Sequence, residues 1–343
     1  MSANLVLVAL FALLLVVGTP VGVALGLSGA AAIWTGLDAF ALQTIGTTTY
    51  ASIAKYPLIA IPLFVLTGML FERSGVARHL VVFAQSIVGP RRGGLALVAV
   101  LVCLIMGGMS GSGPAEAAAV ATILIPSMTK AGYPKAFSAS VIAAGSSTAI
   151  LIPPSIALIV YSLIVPGMDL RALFAAGIVP GILVGVALMV PIVVLSRRHD
   201  FGRGEGTEWP RFWPSFRAAI PGLLAPVIIL GGLFSGLFTP TEAAAVAAFY
   251  GLIVGVFVYR TMDVRAVWKT LADSAETSAV IMVIIGLAGV FAWAGSTLGA
   301  FDAAAERILA VSDEPIVILL LVMAVLILAG MILDGVSIYL ITL

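Results

Sequence analysis

Uncharged apolar stretches recur along the whole chain, at 1–37, 56–71, 93–115, 136–168, 172–196, 218–241, 243–259, 277–301 and 315–333. Most are long enough for a helix across a hydrocarbon core of about 30 Å, which takes about 20 residues. Helices are the expected form, because backbone groups in lipid must find partners inside their own segment. The pattern predicts an all-α polytopic membrane protein. Composition agrees: of 343 residues, 62% are hydrophobic and only 10% charged, against about 25% charged in a soluble domain. Met1–Val17 could pass for a signal peptide, but it lacks a basic start and the apolar pattern continues to Leu37, so it reads as retained. The net charge of +1 singles out no partner, and nothing suggests nucleic acid. The one cysteine, Cys103, cannot form an internal disulfide, and no Cys/His cluster has metal-ligand spacing.

Lys and Arg in the loops set orientation, while acids contribute little. Loop 72–92 holds Arg73, Arg78, Arg91 and Arg92, loop 130–135 holds Lys130 and Lys135, and connector 197–217 holds Arg197, Arg198, Arg203, Arg211 and Arg217. Segment 260–276 adds Arg260, Arg265 and Lys269. The other loops are poor in bases; loop 302–314 has Arg307 among four acids. These basic loops are expected on the cytoplasmic side of a cytoplasmic (inner) membrane, with 302–314 on the periplasmic side. Segments 77–90 and 262–275 read as amphipathic surface helices, and connector 197–217, with Trp209 and Trp213, as interfacial.

Between the first two basic loops lies 93–129, interrupted by Gly107-Gly108-Met109-Ser110-Gly111-Ser112-Gly113-Pro114-Ala115-Glu116. A single crossing would put two basic loops on opposite faces. Its arms, 94–109 and 114–128, would measure about 22–24 Å, short of a full span. A re-entrant hairpin entering from the cytoplasm fits both facts; parity alone leaves two complete crossings open. Irregular backbone at that depth is tolerated where protein buries it or where it lines a wet cavity. A second interruption, Gly145-Ser146-Ser147-Thr148 followed by Pro153-Pro154-Ser155, sits midway in 136–168. Two prolines remove two backbone donors and unwind the helix there.

Leu326 to Gly335 aligns with Leu104 to Gly113 at an offset of 222, and Phe238-Thr239-Pro240 aligns with Gly18-Thr19-Pro20 at 220. The second apolar arm, 315–333, is flanked by the base-poor loop. Two similar units of opposite orientation are the mark of inverted-repeat transporters. A rival match, Pro114-Ala-Glu116-Ala-Ala-Ala-Val-Ala with Pro240-Thr-Glu242-Ala-Ala-Ala-Val-Ala at offset 126, reads as two similar helix starts. Two complete units of about 220 residues would need well over 400, and the chain stops at Leu343, so the second unit is expected to be incomplete here. The marks divide the chain into 1–92 (first scaffold part with an interfacial arm), 93–165 (hairpin plus broken helix), 166–217 (scaffold helix and connector), 218–301 (second scaffold) and 302–343 (start of a second hairpin).

Freed carbonyls plus hydroxyls make a hard-oxygen site suited to Na⁺, and half-helix N-termini can meet a carboxylate. Ser110, Ser112, Ser146, Ser147 and Thr148 are the candidate Na⁺ ligands, the alternative being hydroxyls bonded back to their own helix carbonyls. Glu116 reads as a cap, with Gly113 as N-cap and Glu116 at N3, and Thr239-Pro240-Thr241-Glu242 repeats the pattern. Asp334 is a candidate for direct ion contact at the second tip. His79 and His199 lie in charged loops and suggest no catalysis, and no nucleophile or metal constellation sits within the spans.

Several ordered motifs then carry a resemblance: Leu58-Ile-Ala-Ile-Pro-Leu-Phe-Val-Leu-Thr-Gly-Met69, Gly89-Pro-Arg-Arg-Gly-Gly-Leu95, Ser110-Gly-Ser-Gly113, Ile125-Pro126, Ala131-Gly132-Tyr133, Ile152-Pro-Pro-Ser-Ile156, Leu173-Phe-Ala-Ala-Gly-Ile178 and Phe238-Thr-Pro-Thr-Glu-Ala-Ala-Ala245. Over nearly its whole length the chain resembles the large membrane subunit of a TRAP (tripartite ATP-independent periplasmic) transporter. The resemblance implies an elevator-type transport domain with two hairpins and two broken helices. It also implies Na⁺ coupling, an organic-acid substrate (a dicarboxylate, sialic acid or a similar carboxylate), a small membrane subunit and a periplasmic substrate-binding protein. Carried over by position, Ser110, Gly111 and Ser112 are the first tip, Ser146, Ser147 and Thr148 the first break, and Asp334, Gly335 and Ser337 the second tip. The second broken helix would lie beyond Leu343. The competing function is a stand-alone sodium/carboxylate symporter of related fold.

Overall fold

The computed structural model describes residues 2–165, 167–202, 209–312, 314–331, 333, 335, 338 and 339. All regular elements among them are helical. In chain order they are α1 (Ala3–Val16), α2 (Val21–Gly36), α3 (Thr44–Ile53), α4 (Ala60–Arg73), α5 (Val76–Val88), α6 (Gly94–Ser110), α7 (Gly113–Lys130), α8 (Lys135–Ser146), α9 (Ile156–Ile164), α10 (Leu170–Arg198), α11 (Phe212–Phe234), α12 (Pro240–Ile253), α13 (Val264–Thr297), α14 (Ala300–Leu309) and α15 (Pro315–Gly330). Five helical stretches are long and apolar enough to cross a membrane: Tyr56–Arg73, Leu170–Arg198, Phe212–Phe234, Pro240–Val258 and Val264–Thr297. The protein is therefore a polytopic α-helical membrane protein.

Its contacts fall into two compact units, one of residues 1–58 with 277–343 and one of residues 59–276. In the first unit α1 packs along α2. Small residues let α2 approach the second half of α13 closely. A Cβ added at Gly22 would lie 3.1 Å from Ile284, and one at Gly29 would lie 3.1 Å from the Phe291 nitrogen. Phe11 packs against Phe291 with the rings tilted and their centroids 5.4 Å apart.

The second unit is built around α6. Residues on every side of this helix are buried, from Leu95 through Val98, Ala99 and Val102 to Met106 and Met109. A helix that is apolar all round belongs at the centre of its unit, and α5, α7, α8 and α10 pack on it. Residues 94–130 form a helical hairpin. α6 and α7 are antiparallel partners joined by Gly111-Ser112, and their open ends meet again through Tyr133, which is buried against Leu95 and Ala96. Burial pushes the Tyr133 phenol up to about 12. Phe137 and Phe201 join Tyr133, with ring centroids 5.2–6.2 Å apart. The Gly93 amide donates to the Phe201 carbonyl at 3.3 Å, and Arg92 pairs with Asp200 at 3.1 Å. The basic stretches 91–93, 130–135 and 197–202 therefore lie together at one end of this unit.

Two expectations change. Segment 262–275 is not a separate surface helix. With no proline between Val264 and Thr297, its helix runs straight into the following apolar stretch as α13. Loop 302–314 is largely helical, because the alanine-rich Ala300–Leu309 forms α14 after a left-handed Gly299 with φ +70°. Helix α5 stands where 77–90 was expected, also entered through a left-handed glycine, Gly75 with φ +80°. Its apolar face of Val76, Ala77, Leu80, Val81 and Phe83 is buried.

Candidate functional site

The hairpin tip needs glycine. Helix α6 ends at Ser110, Gly111 turns the chain in the left-handed region with φ +60°, and Ser112 is extended before α7 begins. A Cβ on Gly111 would lie 2.6 Å from the Pro154 carbonyl oxygen and 3.0 Å from the Ile156 nitrogen. One on Gly113 would lie 2.9 Å from the Ser146 carbonyl oxygen, and one on Gly107 2.9 Å from the Ala149 Cα. Real Cβ atoms do not sit that close to backbone, so only glycine permits this approach. The tip and the second interruption are thus seated on each other, main chain against main chain.

That interruption is a true break. Helix α8 stops at Ser146, Ser147–Ile150 forms one 3₁₀ turn, and the chain through Pro153 and Pro154 (joined by a cis peptide) leaves the helical path. Neither proline can donate a backbone hydrogen bond. Ser155 then opens α9, its hydroxyl accepting from the Leu158 amide at 3.4 Å. Polar backbone is here exposed to a junction inside the unit, where a helical bundle would otherwise offer only apolar side chains.

The structure brings Ser110, Gly111, Ser112, Ser146 and Thr148 to this junction. Ser110, Ser146 and Thr148 are buried. Ser147 lies at the surface of the 3₁₀ turn, its hydroxyl donating to the Ala144 carbonyl at 2.7 Å. Thr148 likewise donates to Gly145 at 2.7 Å and Ser110 to Met106 at 3.4 Å. Each of these oxygens keeps lone pairs free to accept a cation. The Ser146 hydroxyl lies 3.3 Å from the Cys103 thiol on α6. No sequence signal pointed to that contact, because it joins residues from two different helices. Of the second tip, Asp334 and Ser337 lie outside the described residues, and Gly335 is half-buried.

The two glutamates separate. Glu242 is a cap: Thr239 is the N-cap, its hydroxyl accepts from the Glu242 amide at 3.3 Å, and the Glu242 carboxylate accepts from the Thr239 amide at 2.8 Å. Glu116 is not. Ser112, rather than Gly113, is the N-cap of α7, so the helix starts one residue earlier and Glu116 falls at N4. One residue turns a side chain by about 100° around a helix, which carries Glu116 off the capping position. It is 1% exposed, and neither carboxylate oxygen has a hydrogen-bond partner.

Sequence reading also missed a cavity of about 640 Å³ in the same unit, between the α4–α5 elbow and α7, lined by Arg73, Arg78, His79, Ala118 and Ile123 among others. Arg73 is held there by an ion pair with Asp273, 200 residues away in sequence. His79 stacks on Tyr259 at 4.2 Å, and burial together with neighbouring Arg78 holds its imidazole below the usual range.

An apolar multi-helix chain with a helical hairpin seated on a proline-broken helix places this protein in the class of polytopic α-helical membrane proteins. Comparison with known proteins narrows this. The model of the "Tripartite ATP-independent periplasmic transporter, DctM component" family matches residues 8–343. The chain is 37% identical over 318 residues to the 2,3-diketo-L-gulonate TRAP transporter large permease protein YiaN of Escherichia coli, covering 93% of this chain and 74% of that protein. It is 40% identical over 306 residues to the C4-dicarboxylate TRAP transporter large permease protein DctM of Pseudomonas aeruginosa, covering 89% and 71%. Against the sialic acid TRAP transporter large permease protein SiaM of Vibrio cholerae it is 35% identical over 306 residues, covering 89% and 70%. The chain belongs to the DctM family of TRAP transporter permeases: a multi-pass inner-membrane transport protein, not an enzyme.

Proposed function

We propose that this permease takes up an organic acid by secondary active, Na⁺-coupled transport, working with a small membrane subunit and a periplasmic protein that delivers the substrate. The observation that supports it most is the junction of hairpin tip and helix break, where hydroxyls of Ser110, Ser146 and Thr148 meet backbone freed from helical pairing. Unwound carbonyls and hydroxyls suit Na⁺, and helix starts at α7 and α9 suit a carboxylate. The named relatives are permeases for diketogulonate, C4-dicarboxylates and sialic acid, all carboxylates. The hairpin would travel with the broken helix as one transport body against the spanning helices, as in an elevator.

The loops of this sequence favour delivery by a separate protein. Those assigned to the periplasm are short and nearly devoid of Lys and Arg, and they contain no domain to capture a dilute anion. In proteoliposomes holding the complete permease and its small subunit, uptake at micromolar substrate should be negligible until the binding protein is added. Single alanine variants at Ser110, Ser112, Ser146 and Thr148 should raise the Na⁺ concentration for half-maximal uptake, and one at Ser147, which lies at the surface, should leave it unchanged. Efficient uptake without the binding protein would point to a stand-alone symporter. Unchanged Na⁺ dependence in the four variants expected to shift would remove the ion assignment.

A further inference from the structure

The cavity of about 640 Å³ between the α4–α5 elbow and α7 plays no part in the transport step proposed above. Its volume falls among those of small-ligand sites, about 300–1,000 Å³. Three elements wall it. The elbow contributes Gly75, Arg78 and His79, α7 contributes Ala118 and Thr122, both exposed, and the turn after α12 contributes Tyr259. Small side chains on α7 leave the space open, since a larger residue at position 118 would fill it.

The titratable groups on the lining besides Tyr259 are Glu72, Arg73, Arg78 and His79. Arg73 is already held by Asp273. Arg78 is exposed and has no ion-pair partner among the described residues. His79 stacks on Tyr259, whose hydroxyl donates to the Ala218 carbonyl at 2.6 Å, so the imidazole is fixed on the wall. Arg78 and His79 stand at the start of α5, although cations normally favour the other end of a helix. The first turn of α5 carries no acid, and Gly75 offers no side chain to cap its amides. A helix start and two basic side chains thus open on one cavity, and together they attract an anion. Glu72 is the one acid on the lining, with Arg73 next to it in the chain.

The source of the anion is set by the surroundings. The bases of loop 72–92 assign the elbow to the cytoplasmic side. The chain on either side of Tyr259 presents exposed apolar residues, Phe257 and Val258 before it and Val264 and Trp268 after it. Acyl chains match such a strip, and Trp favours headgroup depth. Basic pockets between helices on the cytoplasmic side suit phospholipid headgroups. We propose that the elbow cavity binds the phosphate of an anionic phospholipid from the cytoplasmic leaflet, recognised by Arg78, His79 and the first amides of α5. This site is separate from the junction of hairpin tip and helix break. A lipid seated there would tie the elbow to α7, so the bilayer would help set how firmly the hairpin is held at this end.

The test uses the purified complete permease in detergent and phosphatidylglycerol carrying a photoreactive group on its headgroup, with cross-linked peptides mapped by mass spectrometry. The assay contains neither substrate nor a Na⁺ gradient, so its result does not depend on the transport reading. Cross-links should map to 72–79, 118–123 and 257–261. Unlabelled phosphatidylglycerol should remove them, and the same amount of phosphatidylcholine should not. Arg78→Ala, at an exposed position that leaves the fold intact, should lower them about fivefold, and adding His79→Ala should lower them further. Arg217→Ala, an exposed base on α11, should leave them unchanged. Cross-links confined to other surfaces, or undiminished in a well-folded Arg78→Ala protein, would overturn the site. Equal removal by phosphatidylcholine would overturn the preference for an anionic headgroup. Removal by millimolar glycerol 3-phosphate would overturn the lipid as the source and assign the cavity to a soluble phosphate ester.

Discussion

The two strings Pro114-Ala-Glu116-Ala-Ala-Ala-Val-Ala and Pro240-Thr-Glu242-Ala-Ala-Ala-Val-Ala are nearly identical, yet their glutamates do different work. The residue before each proline decides. Thr239 supplies a hydroxyl and closes a capping box; Gly113 supplies none, Ser112 becomes the N-cap, and Glu116 turns into the protein. Thr239→Ala should cost about 1 kcal/mol of stability and lower the melting temperature of the purified protein while leaving uptake intact. An unchanged melting temperature would remove the cap from the stability of α12. Gly111 makes a second residue-scale test. An alanine there would need a left-handed backbone and would place its Cβ 2.6 Å from the Pro154 oxygen, so Gly111→Ala should reach the membrane but lose most uptake. Normal uptake would mean that the tip does not need its close seat on the break. Of this chemistry the sequence displayed the glycines, prolines and hydroxyls, because they break helical periodicity. It hid the fate of Glu116, which hangs on a one-residue choice of N-cap.

At the scale of elements, the hairpin and the broken helix were legible because each combines apolar arms with a polar, helix-breaking centre. Helix α14 was not, because four acids and a short apolar stripe read as a loop, and its helix rests on alanine content. The length of α13 was also concealed, since its amphipathic start and apolar continuation differ in composition but share one uninterrupted helix. The hairpin carries a topological prediction. Tyr133 packs on the start of α6, and Arg92 pairs with Asp200, so positions 91 and 130 belong to one end of the unit. Single cysteines at those positions in a Cys103→Ser background should both react with an impermeant thiol reagent in inverted vesicles and neither in intact cells. Reaction of only one of them from outside would replace the hairpin by a full crossing.

At the scale of the whole molecule, coupling requires that ion and substrate cross together. In the proposed mechanism a body made of the hairpin and the broken helix would satisfy this, with hydroxyls of both segments taking the ion and the starts of α7 and α9 meeting the anion. The most direct measurement is simultaneous flux of ²²Na⁺ and a radiolabelled carboxylate, such as a C4-dicarboxylate or sialic acid, into proteoliposomes containing the permease, its small subunit and the binding protein. Sodium-coupled transport predicts that both labels enter in fixed proportion, that substrate entry stops when choline replaces Na⁺, and that ²²Na⁺ entry stops when substrate is withheld. Substrate entry at an equal rate in choline, with no accompanying ²²Na⁺, would contradict it.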